Sequence, residues 1–195
     1  RCAGAALVVV RRGLAARTAP WCRAVTMDAP QDVPAPALLQ GRFSGREVFQ
    51  QTVRDALATA AREGWREIIL SDADFHDWPL GERAVIDSLG DWARSGRSLV
   101  MLARSYDDVM RHHARFVTWR RTWAHIIDCR RCAKADPSEL PSVLWSPGWV
   151  LRRLDTERSA GVCSADPEAR LLTRESLKEW LGQSSPGFPA STLGL

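Results

Sequence analysis

The sequence is poor in lysine. Of its 27 basic residues only Lys134 and Lys178 are lysines, a bias that a GC-rich genome produces. It also lacks any apolar run near the ~20 residues of a membrane span, so no membrane partner is expected. Five cysteines are present, two of them in the first 26 residues, which leaves Cys129, Cys132 and Cys163 in the body. That odd number argues against a secreted disulfide framework and points to a reduced, cytoplasmic protein. Residues 1–26 contain no acid but carry Arg1, Arg11, Arg12, Arg17 and Arg23. Removing those five leaves 22 basic against 23 acidic side chains, a net charge of −1. The formal charge of +4 therefore belongs to the leader, and nucleic acid is not an expected partner of the body. No motif along the chain completes a catalytic set.

The acid-free leader has features of a transit peptide, and AGAALVVV those of a signal core. The apolar run is only about eight residues, and the Arg pair follows it where a signal's charges precede it. Met27 reads instead as the natural start. From Met27 to Gln40 the chain is rich in Pro and Ala and favours an extended arm. The expected organisation is a leader and arm over 1–42, one α/β domain over 43–183, and a Pro- and Gly-containing tail over 184–195 that docks as a coil or stays loose.

Ser44 and Glu47 have capping-box spacing, and Val48, Phe49, Val53, Ala56, Leu57 and Ala60 then recur at helical spacing up to Gly64. Arg66 to Leu70 reads as a short strand. A second helix buries Val85, Leu89 and Trp92 and stops at Gly96. Ser98 to Ala103 is the next strand. Ser105 and Asp108 are placed to cap a third helix with Tyr106, Val109, Met110, His113, Phe116 and Val117 as its buried stripe. Ala124 to Arg130 follows as a strand, SVLWSPGWVLRRLD as two strands around a turn, SAGVCS as another, and Arg174 to Leu181 as a closing helix. Strands alternating with helices imply right-handed crossovers. The expected fold is an α/β three-layer sandwich, a mainly parallel sheet with antiparallel additions near the C-terminus.

Ligands in open α/β sheets sit beyond the carboxyl ends of the strands. The polar residues found there, Asp72, Asp74, His76, Arg104, His112 and Arg115, are the expected ligand-binding set. Asp72-x-Asp74 after an apolar strand is also the spacing of the nucleophile and acid/base of haloacid dehalogenase-type phosphatases, whose chemistry needs one carboxylate to attack phosphorus and one to protonate the leaving group. The lysine and the second acidic strand end of that pattern are missing, and the alternative is that both aspartates cap the turn. His113-x-Arg115 is similar to the His-x-Lys motif of phospholipase D-type enzymes, with Arg115 for the lysine and Arg120 where an aspartate belongs. His113 also falls on the apolar stripe, as a core histidine does. Arg111, Arg115, Arg120, Arg121, Arg130 and Arg131, interleaved with Trp119 and Trp123, read either as a phosphate-binding face or as a solvated helix face. His125, Cys129, Cys132 and Cys163 are the alternative metal set, set against ordinary buried thiols; a lone CxxC lacks its partner pair.

REIILSDADFHDWPL, RSLVMLARSYDD and HHARFVTWRR running into HIIDCR together resemble a family of uncharacterised bacterial domains, found alone or appended to N-acetyltransferase domains. The members look like one half of the phospholipase D fold with the catalytic motif lost. The resemblance implies a phospholipase D-like half with a non-catalytic or regulatory role. The leading expectation is an α/β domain with no cofactor that binds an anionic or phosphate-bearing ligand or a protein partner without catalysis. A phosphate-ester hydrolase is the rival reading. A module that dimerises through its nine tryptophans is the third.

Overall fold

The computed structural model describes residues 37–95 and 97–190, and the expectations for the leader and for Gly96 lie outside them. Helix α1, Arg46–Glu63, buries Phe49, Val53, Ala56, Leu57 and Ala60 on one face, as the spacing predicts. Gly64 ends it in the left-handed conformation, φ 70° and ψ 47°, which glycine adopts without steric cost. The expected capping box does not form. Gly45 is the N-cap, at φ 100°, and no side chain caps it. The Gly45 amide is held instead by the Arg158 carbonyl at 3.3 Å, and the Glu47 carboxylate stands 3.8 Å from Arg54.

Strand β1, Gly41–Phe43, precedes α1, so regular structure begins inside the stretch expected to be an arm. After α1 come β2 (Glu67–Asp72), α2 (Arg83–Ala93) and β3 (Ser98–Ala103). The expected third helix is two, α3 (Asp107–His112) and α4 (Ala114–Thr122), because His113 at φ −115° and ψ 49° leaves the helical region. That break rotates the stripe. Tyr106, Val109, His113 and Phe116 are buried, but Met110 is 51% exposed. A single 3₁₀ turn, Ala124–Ile126, leads into β4 (Ile127–Arg131), whose expected first residues it takes. Then follow β5 (Ser142–Trp145), β6 (Val150–Asp155), β7 (Ala160–Ser164), α5 (Pro167–Gln183) and β8 (Ser185–Pro186). Asp166 caps α5, accepting from the Ala169 amide at 2.9 Å.

The strands form one sheet in the order β1-β7-β6-β5-β2-β3-β4-β8. The expectation of a mainly parallel sheet is corrected here. Only β2–β3 and β3–β4 pair in parallel, and the other pairings among the described residues are antiparallel. The reason is connection length. A parallel return needs a crossover of a dozen or more residues, which α2 and the α3–α4 segment supply, whereas the short turns after β5 and β6 permit only hairpins. The antiparallel strands near the C-terminus are as expected.

Alternation along β2 sets the two faces. Ile68 and Leu70 join Leu99, Met101, Leu144 and Leu151 beneath α1 and α2, while Ile69 joins Val143, Trp145 and Val150 against Leu177 of α5. The tail docks through β8, and Phe188 stacks on Tyr106 with ring centroids 5.0 Å apart. Among the described tryptophans, Trp78, Trp92, Trp119, Trp145 and Trp149 are buried and Trp65, Trp123 and Trp180 half-buried. The five buried ones form part of the core. No helix there is long and apolar enough to cross a membrane.

Candidate functional site

The carboxyl ends of β2, β3 and β4 lie side by side, and the chain leaving each one carries the candidate residues. At β2, Asp72 is buried and all its acceptor capacity is taken up by the protein. Its Oδ1 accepts from the amides of Asp74 at 3.3 Å and Phe75 at 3.1 Å. Its Oδ2 accepts from Trp78 Nε1 at 2.9 Å, from the Ser142 hydroxyl, and from Arg153 Nη2 at 2.9 Å. Arg153 continues the network to the Ser142 hydroxyl (3.0 Å) and to Asp77 (3.2 Å), and its guanidinium lies 4.6 Å from the centre of the Phe49 ring. Arg46 meets Asp77 from outside at 3.2 Å. A carboxylate so enclosed cannot attack phosphorus. Asp74 has the same kind of role at the surface, where its Oδ1 accepts the His76 amide at 2.9 Å. Both aspartates therefore close the turn, which is the alternative the sequence offered.

His113 is likewise buried. Its Nε2 lies 3.0 Å from the Phe75 carbonyl, and its Nδ1 faces Gly81, where an added Cβ would approach to 3.1 Å. Burial holds the imidazole below the usual histidine value, against the upward pull of the Phe75 carbonyl. A histidine packed in this way has no open side for a substrate. Phe75 itself sits at φ 61°, unusual for a bulky residue, and is held there by the hydrogen bond its amide donates to Asp72 Oδ1 and by its carbonyl contact with His113.

The six residues expected to bind ligand do not share one cleft. Asp74, His76, Arg104 and His112 come together at the β2 and β3 ends, where the Arg104 and Ser105 amides both donate to the Ala73 carbonyl, at 3.1 and 3.2 Å. The His76 and His112 rings are 5.5 Å apart, edge to face. Asp72 lies beneath them in the core. Arg115 donates to the Gly81 carbonyl at 3.1 Å and lines a shallow groove with Arg83, Ile86 and Asp87, which none of the other five lines.

The arginine cluster is also divided. Arg111, Arg115, Arg121 and Arg131 are exposed, but Arg120 is buried, donating to Cys129 Sγ at 3.0 Å with its guanidinium 4.3 Å from the Phe188 ring centre. Arg130 is bound to Ser184 at 3.0 Å. The alternative metal set does not assemble. Cys129 on β4 and Cys163 on β7 are separated by β3, β2, β5 and β6, about 24 Å of sheet. Cys132 Sγ donates to the Trp180 carbonyl at 3.5 Å, and burial pushes all three thiols up, Cys163 to about 12.

A cavity at the carboxyl end of β4 lies outside the six expected residues. It encloses about 470 Å³ between Arg131, Cys132, Lys134, Glu139, Trp180 and Gln183, within the range of small-molecule sites. Arg131 Nε donates to the Arg104 carbonyl at 3.1 Å, which joins the cavity to the β3 end. Two cations and one acid line it, so its walls carry a net positive charge. The available signal was a strand closing on Arg131 and followed at once by one of only two lysines.

No protein-family model matches the chain, and no curated protein does. Among solved structures the fold is similar to TrmBL2, an archaeal chromatin protein whose structure is described as showing a novel mode of DNA binding. The TM-score is 0.55 at 16% identity, over 75% of this chain and 54% of that one, so the chain spans about half the length of the structure it matches. At that identity the likeness concerns fold alone.

Proposed function

We propose that this protein is a non-catalytic α/β domain that binds a phosphate-bearing anion at the carboxyl ends of β3 and β4. The observation that carries the reading is the cavity lined by Arg131 and Lys134, at the position where α/β sheets hold their ligands. An Arg guanidinium offers a planar fork to phosphate oxygens, and a Lys ammonium adds a point charge. Trp180 supplies an apolar wall. What supports a non-catalytic reading is the bonding of the two candidate nucleophiles: Asp72 is spent on Arg153, Trp78 and Ser142, and His113 on Phe75. The reading as a phospholipase D-like half belongs to this proposal, supported by the β2–α2–β3–α3–α4–β4 crossovers.

A second form of the ligand is the phosphate backbone of DNA, favoured by the fold likeness to a protein described as DNA-binding. The near-neutral body argues for the small anion. The test is binding of pyrophosphate and of a short DNA duplex to the chelator-treated full chain, alongside assays of generic phosphomonoesters and phosphodiesters with Mg²⁺. The reading expects saturable pyrophosphate binding that weakens about tenfold or more in Arg131→Ala, and no turnover. Turnover lost on Asp72→Asn or His113→Ala would support the hydrolase instead. Tighter binding of the duplex would move the ligand to nucleic acid.

A further inference from the structure

His76, Asp108 and His112 form a cluster that the anion reading does not use. One ligand atom from each, two imidazole nitrogens and a carboxylate oxygen, lies within 4.8 Å of the others. Asp108 and His112 are one helical turn apart on α3, with the carboxylate 3.5 Å from His112 Nδ1. His76 comes from the β2 loop, and its ring meets that of His112 edge to face. Chain distant in sequence is thus brought to one point. The cause is the layer beneath: the His113 to Phe75 bond, 3.0 Å long, ties α3 to the loop, and His112 and His76 are the outward-facing neighbours of those two buried residues. Phe75, at φ 61°, has its aromatic ring buried while the next residue, His76, is exposed.

We propose that His76, Asp108 and His112 bind a divalent transition-metal ion of the zinc class, with at least one coordination position open to solvent. Two imidazoles and one carboxylate are a known donor set for zinc with an open fourth position, and they are poor ligands for magnesium or calcium, which prefer oxygen. Ligand bonds of about 2.0–2.2 Å bring tetrahedral donors to roughly 3.4 Å of one another, so the three atoms need inward shifts of about 1 Å or less. Both histidines are exposed and Asp108 is half-buried, so rotation about side-chain bonds supplies that closure. The proposal is independent of the phosphate reading, because Arg131 and Lys134 take no part in it.

The test uses tag-free full chain, stripped with chelator and titrated with Zn²⁺ by calorimetry and with Co²⁺ by visible absorption. The expected result is one equivalent of metal, d–d bands without a thiolate-to-cobalt band, and a rise in Tm with zinc. His76→Ala and His112→Ala each weaken zinc binding by more than about tenfold, at least the scale seen on removing an outer-shell partner of a metal ligand. Their metal-free melting curves match the wild type, which separates lost ligation from lost folding. His125→Ala and Arg131→Ala bind zinc as the wild type does. Zinc binding unchanged in both His76→Ala and His112→Ala, a thiolate band, loss on His125→Ala, or no saturable binding would each overturn the proposal.

Discussion

Asp72 and Arg153 stand 81 residues apart in sequence and meet at 2.9 Å in the core, each side chain only 3% exposed. The pair joins the end of β2 to β6 across β5, and Ser142 of β5 bonds to both partners. Buried ion pairs are costly to break from one side, because the remaining charge is left without compensation. Asp72→Asn is therefore expected to lower the unfolding free energy by about 3–5 kcal/mol in a denaturant titration. In the double variant with Arg153→Met the losses should fall well short of additivity. Additive losses would show that the two residues act separately.

His113 supports a second prediction. Replacing it with alanine removes the partner of the Phe75 carbonyl and opens space beneath the loop, at an expected cost of about 1–3 kcal/mol. Because His76 is positioned through that contact, its ring signals should broaden or shift in the NMR spectrum of the variant. Unchanged stability together with unchanged His76 signals would count against the positioning role.

Gly161 lies on β7 between β6 and β1, opposite Arg153 on one side and Phe43 on the other. A Cβ there would stand 2.2 Å from the Arg152 carbonyl oxygen and 2.7 Å from Phe43 Cζ. Backbone cannot yield as a flexible side chain does, so Gly161→Ala should exceed the ~1–3 kcal/mol typical of overpacking. A thermal melt within a degree of wild type would contradict the packing at this edge of the sheet.

The fold is partly legible in the sequence, and where it is legible the reason is periodicity. The β3 bounds, the buried face of α1 and the β5–β6 hairpin follow from spacing and turn residues, and His113 is buried where the apolar stripe places it. Strand order is different. It depends on which hairpin joins which edge, and nothing local in SVLW says that it pairs antiparallel with β2. Arg153 is the clearest case: Arg152 and Arg153 look alike in sequence, alternation points one of them inward, and only the folded chain supplies Asp72 to receive it. The cavity residues Arg131, Lys134 and Trp180 come from the end of β4, the loop after it and the distant helix α5, so no window of sequence contains them together.

Cysteine titration gives a prediction in pH. Burial raises the Cys163 thiol from its ordinary 9.0 to about 12, so the folded state keeps the proton after the unfolded chain has lost it. Stability from this group is fully present below pH 9 and is lost as pH rises towards 12. Cys129 and Cys132 shift in the same direction. Denaturation midpoints should fall across that window, and less so in Cys163→Ala. At pH 8 Cys163 should resist alkylation in the native protein and react on unfolding. Rapid native labelling would show that β7 opens.

On the proposed function, the β4 cavity holds a phosphate-bearing anion without turning it over. A ¹H–¹⁵N NMR titration of the chelator-treated full chain with pyrophosphate tests it most directly. Saturable shifts confined to Arg131, Cys132, Lys134, Glu139 and the Trp180 indole, abolished in Arg131→Ala, are expected. Shifts centred on other residues, or none that saturate, would contradict it.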